Sequence, residues 1–268
     1  MDRQEQVRAL IDILLSEMPQ YRPQAAPIPA GPEEQRRLLR ALMNLRPPLP
    51  LGEGFLRLQD ALLAREREEK GVVDPASLPV TAADPRLVLW QGDITRLGAD
   101  VIVNAANSAL LGCFCPCHGC IDNAIHSAAG LQLREECHRL MEAQGHDEPT
   151  GRAKLTGGYA LPARYVLHTV GPIVQGPLTR RHREELAACY RACLDLAGEK
   201  GLEQVAFCCI STGEFHFPNQ EAARIAVETV TGYLDSQSAV KRVIFNVFKD
   251  VDAAVYRALL GPDRPAEG

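Results

Sequence analysis

LVLWQGDITRLGADVIVNAAN, residues 87–107, sets the fold class of this chain. Leu87 to Gln91 is a short apolar run of strand length. Gly92-Asp93-Ile94-Thr95 reads as a turn, since glycine and aspartate favour chain reversal. Val101-Ile102-Val103 is a continuous β-branched run, the pattern of a strand buried on both faces. It leads directly into Asn104-Ala105-Ala106-Asn107.

The same alternation continues downstream. Lys154 to Tyr159, Tyr165 to Val170, Gln204 to Ile210 and Val243 to Val247 read as strands. Between them, Leu131 to Ala143, Thr179 to Lys200 and Pro218 to about Leu234 read as helices, and Asp250 to Leu260 as the last. Gly201 stops the long one. Strands alternating with helices imply a mostly parallel or mixed sheet covered on both faces. Ligands of such sheets bind beyond the carboxyl ends of the strands. Asp93, Asn104, Asn107, Gly171 and the Ser211 to Phe217 segment all fall at such ends.

GCFCPCHGCIDNAIHSAAG, residues 112–130, carries the densest chemistry. Cys113, Cys115, Cys117 and Cys120 lie within eight residues, with His118 among them. Pro116 and Gly119 keep this part from being helical. A helical period begins at Ile121, so Asp122 and Asn123 occupy a helix start, where free N–H groups attract anions. Thiolate and imidazole at this density suit a zinc ion. Three readings stand side by side: a catalytic metal with an open position, a closed structural site with a fourth cysteine, and redox chemistry at the Cys117–Cys120 C-x-x-C spacing. Cys189 and Cys193, four residues apart on one helix, read as packing, as do Cys208 and Cys209 in an apolar strand. Trp90, His126 and His168 read as structural.

Residues 1–80 read as a helical extension to a main domain at 81–268. Val7, Leu10, Ile11, Leu14 and Leu15 form an apolar stripe. Tyr21 to Pro32 reads as a linker, Glu33 to Leu45 as a second helix ended by Pro47, Pro48 and Pro50, and Phe55 to Glu69 as a third. The charge run REREEK closing the third reads as a solvated face.

The chain of 268 residues is 46% hydrophobic and 24% charged, which leaves ample apolar material for a core. A net charge of −5 argues against broad nucleic-acid binding, which needs a basic surface. No apolar run is long enough to span a membrane, and the acidic, amphipathic N-terminus does not read as an export signal. The expected setting is therefore cytoplasmic and reducing, with the nine cysteines as thiols or ligands.

QGDITRLGADVIVNAAN, GGYALPARYVLHTVGP and ISTGEFHFP together resemble the macrodomain, the ADP-ribose-binding fold. The insert at 112–130 resembles its zinc-containing subclass, which also carries a helical N-terminal extension. The resemblance runs from about residue 84 to 260. It implies a three-layer α-β-α domain with a mixed central sheet. It also implies that Asp93 accepts a hydrogen bond from the adenine amino group, with Ile94 against the base. A carboxylate is acceptor-only and suits such an amine, although a turn-forming aspartate would look the same. Ser211, Thr212, Gly213, Glu214, Phe215 and Phe217 would wrap the diphosphate, with Phe217 under a ribose. Asn104 and Asn107 would line the distal ribose, their amides matching vicinal hydroxyls. Cys113, His118 and Cys120 would hold Zn2+.

The activity implied is hydrolysis of mono-ADP-ribose from a modified protein, releasing ADP-ribose. Zinc would orient the distal ribose, and Asp122, helped by Asn107 and Asn104, would position or activate water. The bond expected to break is an ester to an acidic side chain. Hydrolysis of O-acetyl-ADP-ribose, and a non-enzymatic ADP-ribose reader with structural zinc, are the alternatives. The expected protein is a monomer with no nucleic-acid or membrane partner.

Overall fold

The computed structural model describes residues 1–236 and 239–265. In chain order the extension supplies α1 (Arg3–Glu17), α2 (Arg22–Ala25), α3 (Pro32–Leu45) and α4 (Glu53–Lys70). Then come β1 (Val80–Thr81), β2 (Leu87–Gln91), β3 (Val101–Ala105), α5 (Ile121–Ala129) and α6 (Leu131–Gln144). They are followed by β4 (Ala153–Gly157), β5 (Tyr165–Thr169), α7 (Arg180–Glu199), β6 (Gln204–Phe207), α8 (Asn219–Leu234), β7 (Arg242–Val247), α9 (Asp250–Leu260) and β8 (Asp263–Arg264).

Six strands form one sheet in the order β2-β7-β6-β3-β5-β4. β4 runs antiparallel to β5, and every other pair is parallel, so the sheet is mixed as expected. It is the middle layer of a three-layer α-β-α arrangement. Val101, Ile102 and Val103 are fully buried, because β3 has a strand on each side and a helix layer on each face. Local signals place the helix ends. The Asp2 side chain accepts from Glu5 N in a capping box on α1, and the Thr179 hydroxyl accepts from His182 N at the start of α7. Cys189 and Cys193 share the buried face of α7, as read from their spacing.

The extension has its own core. The expected stripe on α1 is buried against Leu39 and Leu42 of α3 and Phe55 and Leu62 of α4, and Leu131 of α6 joins the cluster. Polar ties finish the docking. Gln59 Oε1 accepts from Leu131 N at 2.8 Å, and Arg67 Nη1 donates to Ala160 O at 3.1 Å. The REREEK run is thus more than a solvated face. Arg67 reaches the main domain, and Glu66 accepts from Arg36 Nε at 2.6 Å; burial pushes its carboxyl up, but the Arg36 and Arg3 guanidiniums outweigh it and hold the group below the usual range.

Three further features differ from the sequence reading. The segment read as a linker contains the short helix α2. β1 and β8 pair as a separate two-stranded sheet. β6 ends at Phe207, not Ile210, because the chain turns there towards the ligand cleft. Among the described residues, no helix is long and apolar enough to cross a membrane.

Candidate functional site

A cleft of about 650 Å3 opens at the carboxyl ends of the parallel strands. Gly92, Asp93 and Ile94 follow β2, Ala105 ends β3 with Ala106 and Asn107 after it, Cys208, Cys209 and Ser211 to Phe215 follow β6, and Asn246 lies in β7 with Phe248 just beyond it. The loop before α5 and its first turn form the remaining wall.

At one end stands Asp122, in the first turn of α5 and 5% exposed. Its Oδ1 accepts from Asn104 Nδ2 at 2.8 Å, and its Oδ2 accepts from Asn107 Nδ2 at 3.3 Å. Burial pushes the carboxyl up to about 6, against the Asn104 hydrogen bond and the Arg134 charge, which lower it. Asn107 lines the cleft, and its Nδ2 also donates to Gly112 O at 3.1 Å. Asn104 does not line it. The side chain is fully buried behind Asp122, because position 104 lies within β3 and points into the layer beneath. Asn104, expected at the distal ribose, instead lies behind Asp122, with its amide on the Asp122 Oδ1.

The Cys113, His118 and Cys120 ligand atoms lie within 4.8 Å of one another beside this carboxylate. His118 Nδ1 is buried with no hydrogen-bond partner. Two sulfurs and an imidazole with a free nitrogen, open to a cleft, fit a zinc ion. Burial raises the Cys120 thiol to about 12, with the Cys113 and Asp122 charges adding to the rise against the Asn123 N–H that lowers it. The two extra cysteines face elsewhere. Cys115 is exposed, and Cys117 Sγ lies 3.5 Å from Arg37 O of α3.

A second group, His126, Cys137 and His168, is also close enough to share an ion, but it is wholly buried. His168 already faces Asn104 Nδ2 at 3.2 Å and Thr156 Oγ1 at 2.9 Å through its two ring nitrogens. Burial holds its pKa down at about 3, so it is a neutral packing group, as read from the sequence.

At the opposite end, Asp93 caps a 3-10 turn. Its Oδ1 accepts from Thr95 N at 3.0 Å and Thr95 Oγ1 at 2.6 Å. Its Oδ2 lies 3.7 Å from Lys70 Nζ at the end of α4. The turn-capping reading is therefore realised, and Asp93 still lines the cleft with Ile94.

The 211–217 loop lies between. Ser211 and His216 have positive φ of 65° and 56°, strained for residues with a Cβ. The loop closes on itself through Phe217 N to Ser211 O at 2.9 Å. Ser211 Oγ is buried, unpartnered and in the cleft wall, an unmet donor suited to an anion's oxygen. Gly171 is required opposite, since a Cβ there would collide with Ser211 Oγ. Thr212, Gly213, Glu214 and Phe215 line the cleft. Phe217 does not. It is 1% exposed in the main core, because the closed loop turns its ring inward, and this corrects its expected place under a ribose.

Several cleft residues escaped the sequence reading. Cys208 and Cys209 pack with the core, as read, and also line the floor of the cleft. Phe248, 75% exposed, and Lys249 line the wall beyond β7. An aromatic directly after the expected strand Val243 to Val247 was the available signal for Phe248.

Residues 103–226 match the family model described as Macro domain. A protein-ADP-ribose hydrolase of Treponema medium is 48% identical over 262 residues, covering 97% of this chain and 100% of that protein. A protein-ADP-ribose hydrolase of Staphylococcus aureus is 46% identical, covering 88% of each chain. The crystal structure of a Trypanosoma brucei macrodomain in complex with ADP-ribose is similar at a TM-score of 0.62 and 32% identity, covering 82% of this chain and 95% of that one. The motifs, the strand order and these likenesses agree: this chain belongs to the Macro domain family.

Proposed function

We propose that this protein hydrolyses the bond joining mono-ADP-ribose to a protein acceptor, with a zinc ion held by Cys113, His118 and Cys120. The observation that carries the reading is the buried Asp122 carboxylate, gripped by the Asn104 and Asn107 amides beside the two cysteines and histidine. A module that only bound ADP-ribose would gain nothing from a partly desolvated carboxylate at that end of the cleft. The names of the two bacterial relatives support the same activity.

ADP-ribose lies along the cleft, adenine towards Asp93, Ile94 and Phe248, and the diphosphate against Ser211 to Phe215. The distal ribose then reaches Asn107 and Asp122. Asp122 takes a proton from a water molecule as its oxygen attacks the anomeric carbon of that ribose. The carbon–oxygen bond to the acceptor breaks, and the acceptor leaves with the bonding electron pair, as a carboxylate when the link is an ester. Asn104 keeps Asp122 aimed, and Asn107 holds its second oxygen. When bound, zinc would supply Lewis-acid polarisation of oxygens at the distal ribose and help to orient its hydroxyls. Taking up zinc requires the Cys120 sulfur to give up its proton.

The test is to incubate zinc-loaded protein with proteins ADP-ribosylated on acidic, serine and arginine side chains and to identify the products. The expected result is free ADP-ribose from the ester-linked set. Binding of every substrate with no release from any would overturn the enzyme in favour of a reader.

A further inference from the structure

The stretch from Cys113 to Cys120 has few bonds of its own. Its backbone bond is His118 N to Cys115 O at 3.2 Å, and Cys117 sits at a positive φ of 53°, strained for a residue with a Cβ. A segment like this does not fix three ligand side chains by itself. Part of its remaining support comes from α3, more than 70 residues away in sequence, and part from Asn123 of α5 and Arg134 of α6, whose guanidinium lies over the Phe114 ring.

Asn44 of α3 is 2% exposed. Its Oδ1 accepts from Cys117 N at 2.9 Å, in the residue preceding His118. Its Nδ2 donates to Ser127 Oγ at 3.1 Å, which anchors it on α5. One turn earlier on α3, Arg40 donates through Nε and Nη2 to Asn123 Oδ1, at 3.2 and 2.7 Å. Asn123 passes this on: its Nδ2 donates to Cys115 O at 3.0 Å, and its N–H faces Cys120 Sγ at 3.4 Å. Ser127 Oγ closes the ring by donating to Asn123 Oδ1 at 3.3 Å. Both amides are thus oriented by partners on both sides. Arg134 of α6 ties the same corner down, donating to the carbonyls of Met43, Asn44 and Arg46 at 2.6 to 3.0 Å.

We infer that the N-terminal extension is part of the metal centre: Asn44 and Arg40 of α3 are positioning residues that set the Cys113–Cys120 loop in its ligating shape. The inference rests on the zinc reading above. Groups that orient metal ligands from outside typically govern metal affinity by 10–100-fold. Asn44 acts this way on the Cys117 N–H, and Arg40 on the Asn123 side chain and the His118 carbonyl, so neither touches a ligand atom itself. Docking of the extension alone is a separate matter, carried elsewhere by Gln59 on Leu131 and by the α1–α3–α4 core.

The experiment measures zinc affinity of the full chain by competition with a chromophoric chelator, alongside thermal melting. Asn44→Ala and the half-buried Arg40→Ala are compared with Gln59→Ala, which weakens docking far from the loop. The expected result is a zinc affinity reduced about 10–100-fold in the first two, with Gln59→Ala melting lower but binding zinc as the wild type does. Arg40→Ala keeps the test open if Asn44→Ala does not fold. Folded Arg40→Ala and Asn44→Ala proteins with wild-type zinc affinity would overturn the inference. So would a Gln59→Ala protein that loses zinc as readily as they do. Wild-type protein that takes up no zinc is a different result, and overturns the zinc reading itself.

Discussion

Asn104 and Asp122 meet at 2.8 Å, one from the last turnless residues of β3 and the other from the first turn of α5. This bond fixes the direction of a carboxylate that has little other freedom. Asp122→Ala should lower turnover by about 10²–10⁴-fold, the usual contribution of a positioned general base, with ADP-ribose binding and zinc content retained. Asn104→Ala should lower kcat with little change in KM, because Asn104 touches Asp122 and not the cleft. Steady-state kinetics on both variants checks this. A change confined to KM in Asn104→Ala would contradict the positioning role.

Asp93 has two jobs that one substitution can separate. Its Oδ1 caps the 3-10 turn, and its Oδ2 faces Lys70 and the cleft. Asp93→Asn keeps an oxygen for Thr95 N but loses the charge. ADP-ribose affinity should fall by about 1.5–3 kcal/mol, the value of a hydrogen bond to a charged group, with melting temperature nearly unchanged. Calorimetric titration giving wild-type affinity would remove Asp93 from the adenine site.

Stability should depend on pH through the buried histidines. His168 is held down at about 3 by burial, and His126 also lies well below 6.5, chiefly through burial and then the His168 and Arg134 charges. The unfolded chain binds these protons near 6.5, so their stabilising effect is complete above that pH and is lost as pH falls towards 3. Asp122, raised to about 6, acts in the opposite sense over part of the window, because there the folded state holds its proton. The difference between two proteins isolates one group. Urea unfolding of wild type and His168→Gln at pH 7 and pH 5 should show the wild type losing more stability, by up to about 1.4 kcal/mol per pH unit. Parallel losses would mean that His168 is not held neutral.

Much of this was legible in the residues. The apolar runs at 87–91 and 101–103 gave β2 and β3, and the α1 stripe gave a buried helix, because these patterns are local and strongly periodic. Phe217 was misplaced because the spacing of aromatics on a loop does not say which side of it faces the core. Asn104 was misplaced for a related reason: a strand end has two faces, and only Asn107, beyond the strand, turns to the cleft. β1 and β8 have two residues each, too few for any period. The contacts of Arg40 and Asn44 with the cysteine loop join positions 73 to 83 residues apart, which no local pattern carries.

Cys115 and Cys117 give a check on the ligand set that does not rely on activity. Cys115 is exposed and Cys117 turns to Arg37 O, so Cys115→Ser and Cys117→Ser should each leave zinc content unchanged. Cys113→Ser, His118→Ala and Cys120→Ser should each lower it. Metal analysis of purified protein reads this directly, and loss of zinc from Cys117→Ser with retention in His118→Ala would show a different set.

The most direct measurement is zinc content and ADP-ribose release on the same samples before and after chelation, under conditions where circular dichroism shows the fold intact. The expected result is one zinc per chain, release abolished on its removal and restored on its return. ADP-ribose binding should weaken only in part, because the contacts at Asp93 and the 211–215 loop lie elsewhere. A folded, zinc-free protein that releases ADP-ribose at the full rate would contradict the zinc-dependent mechanism.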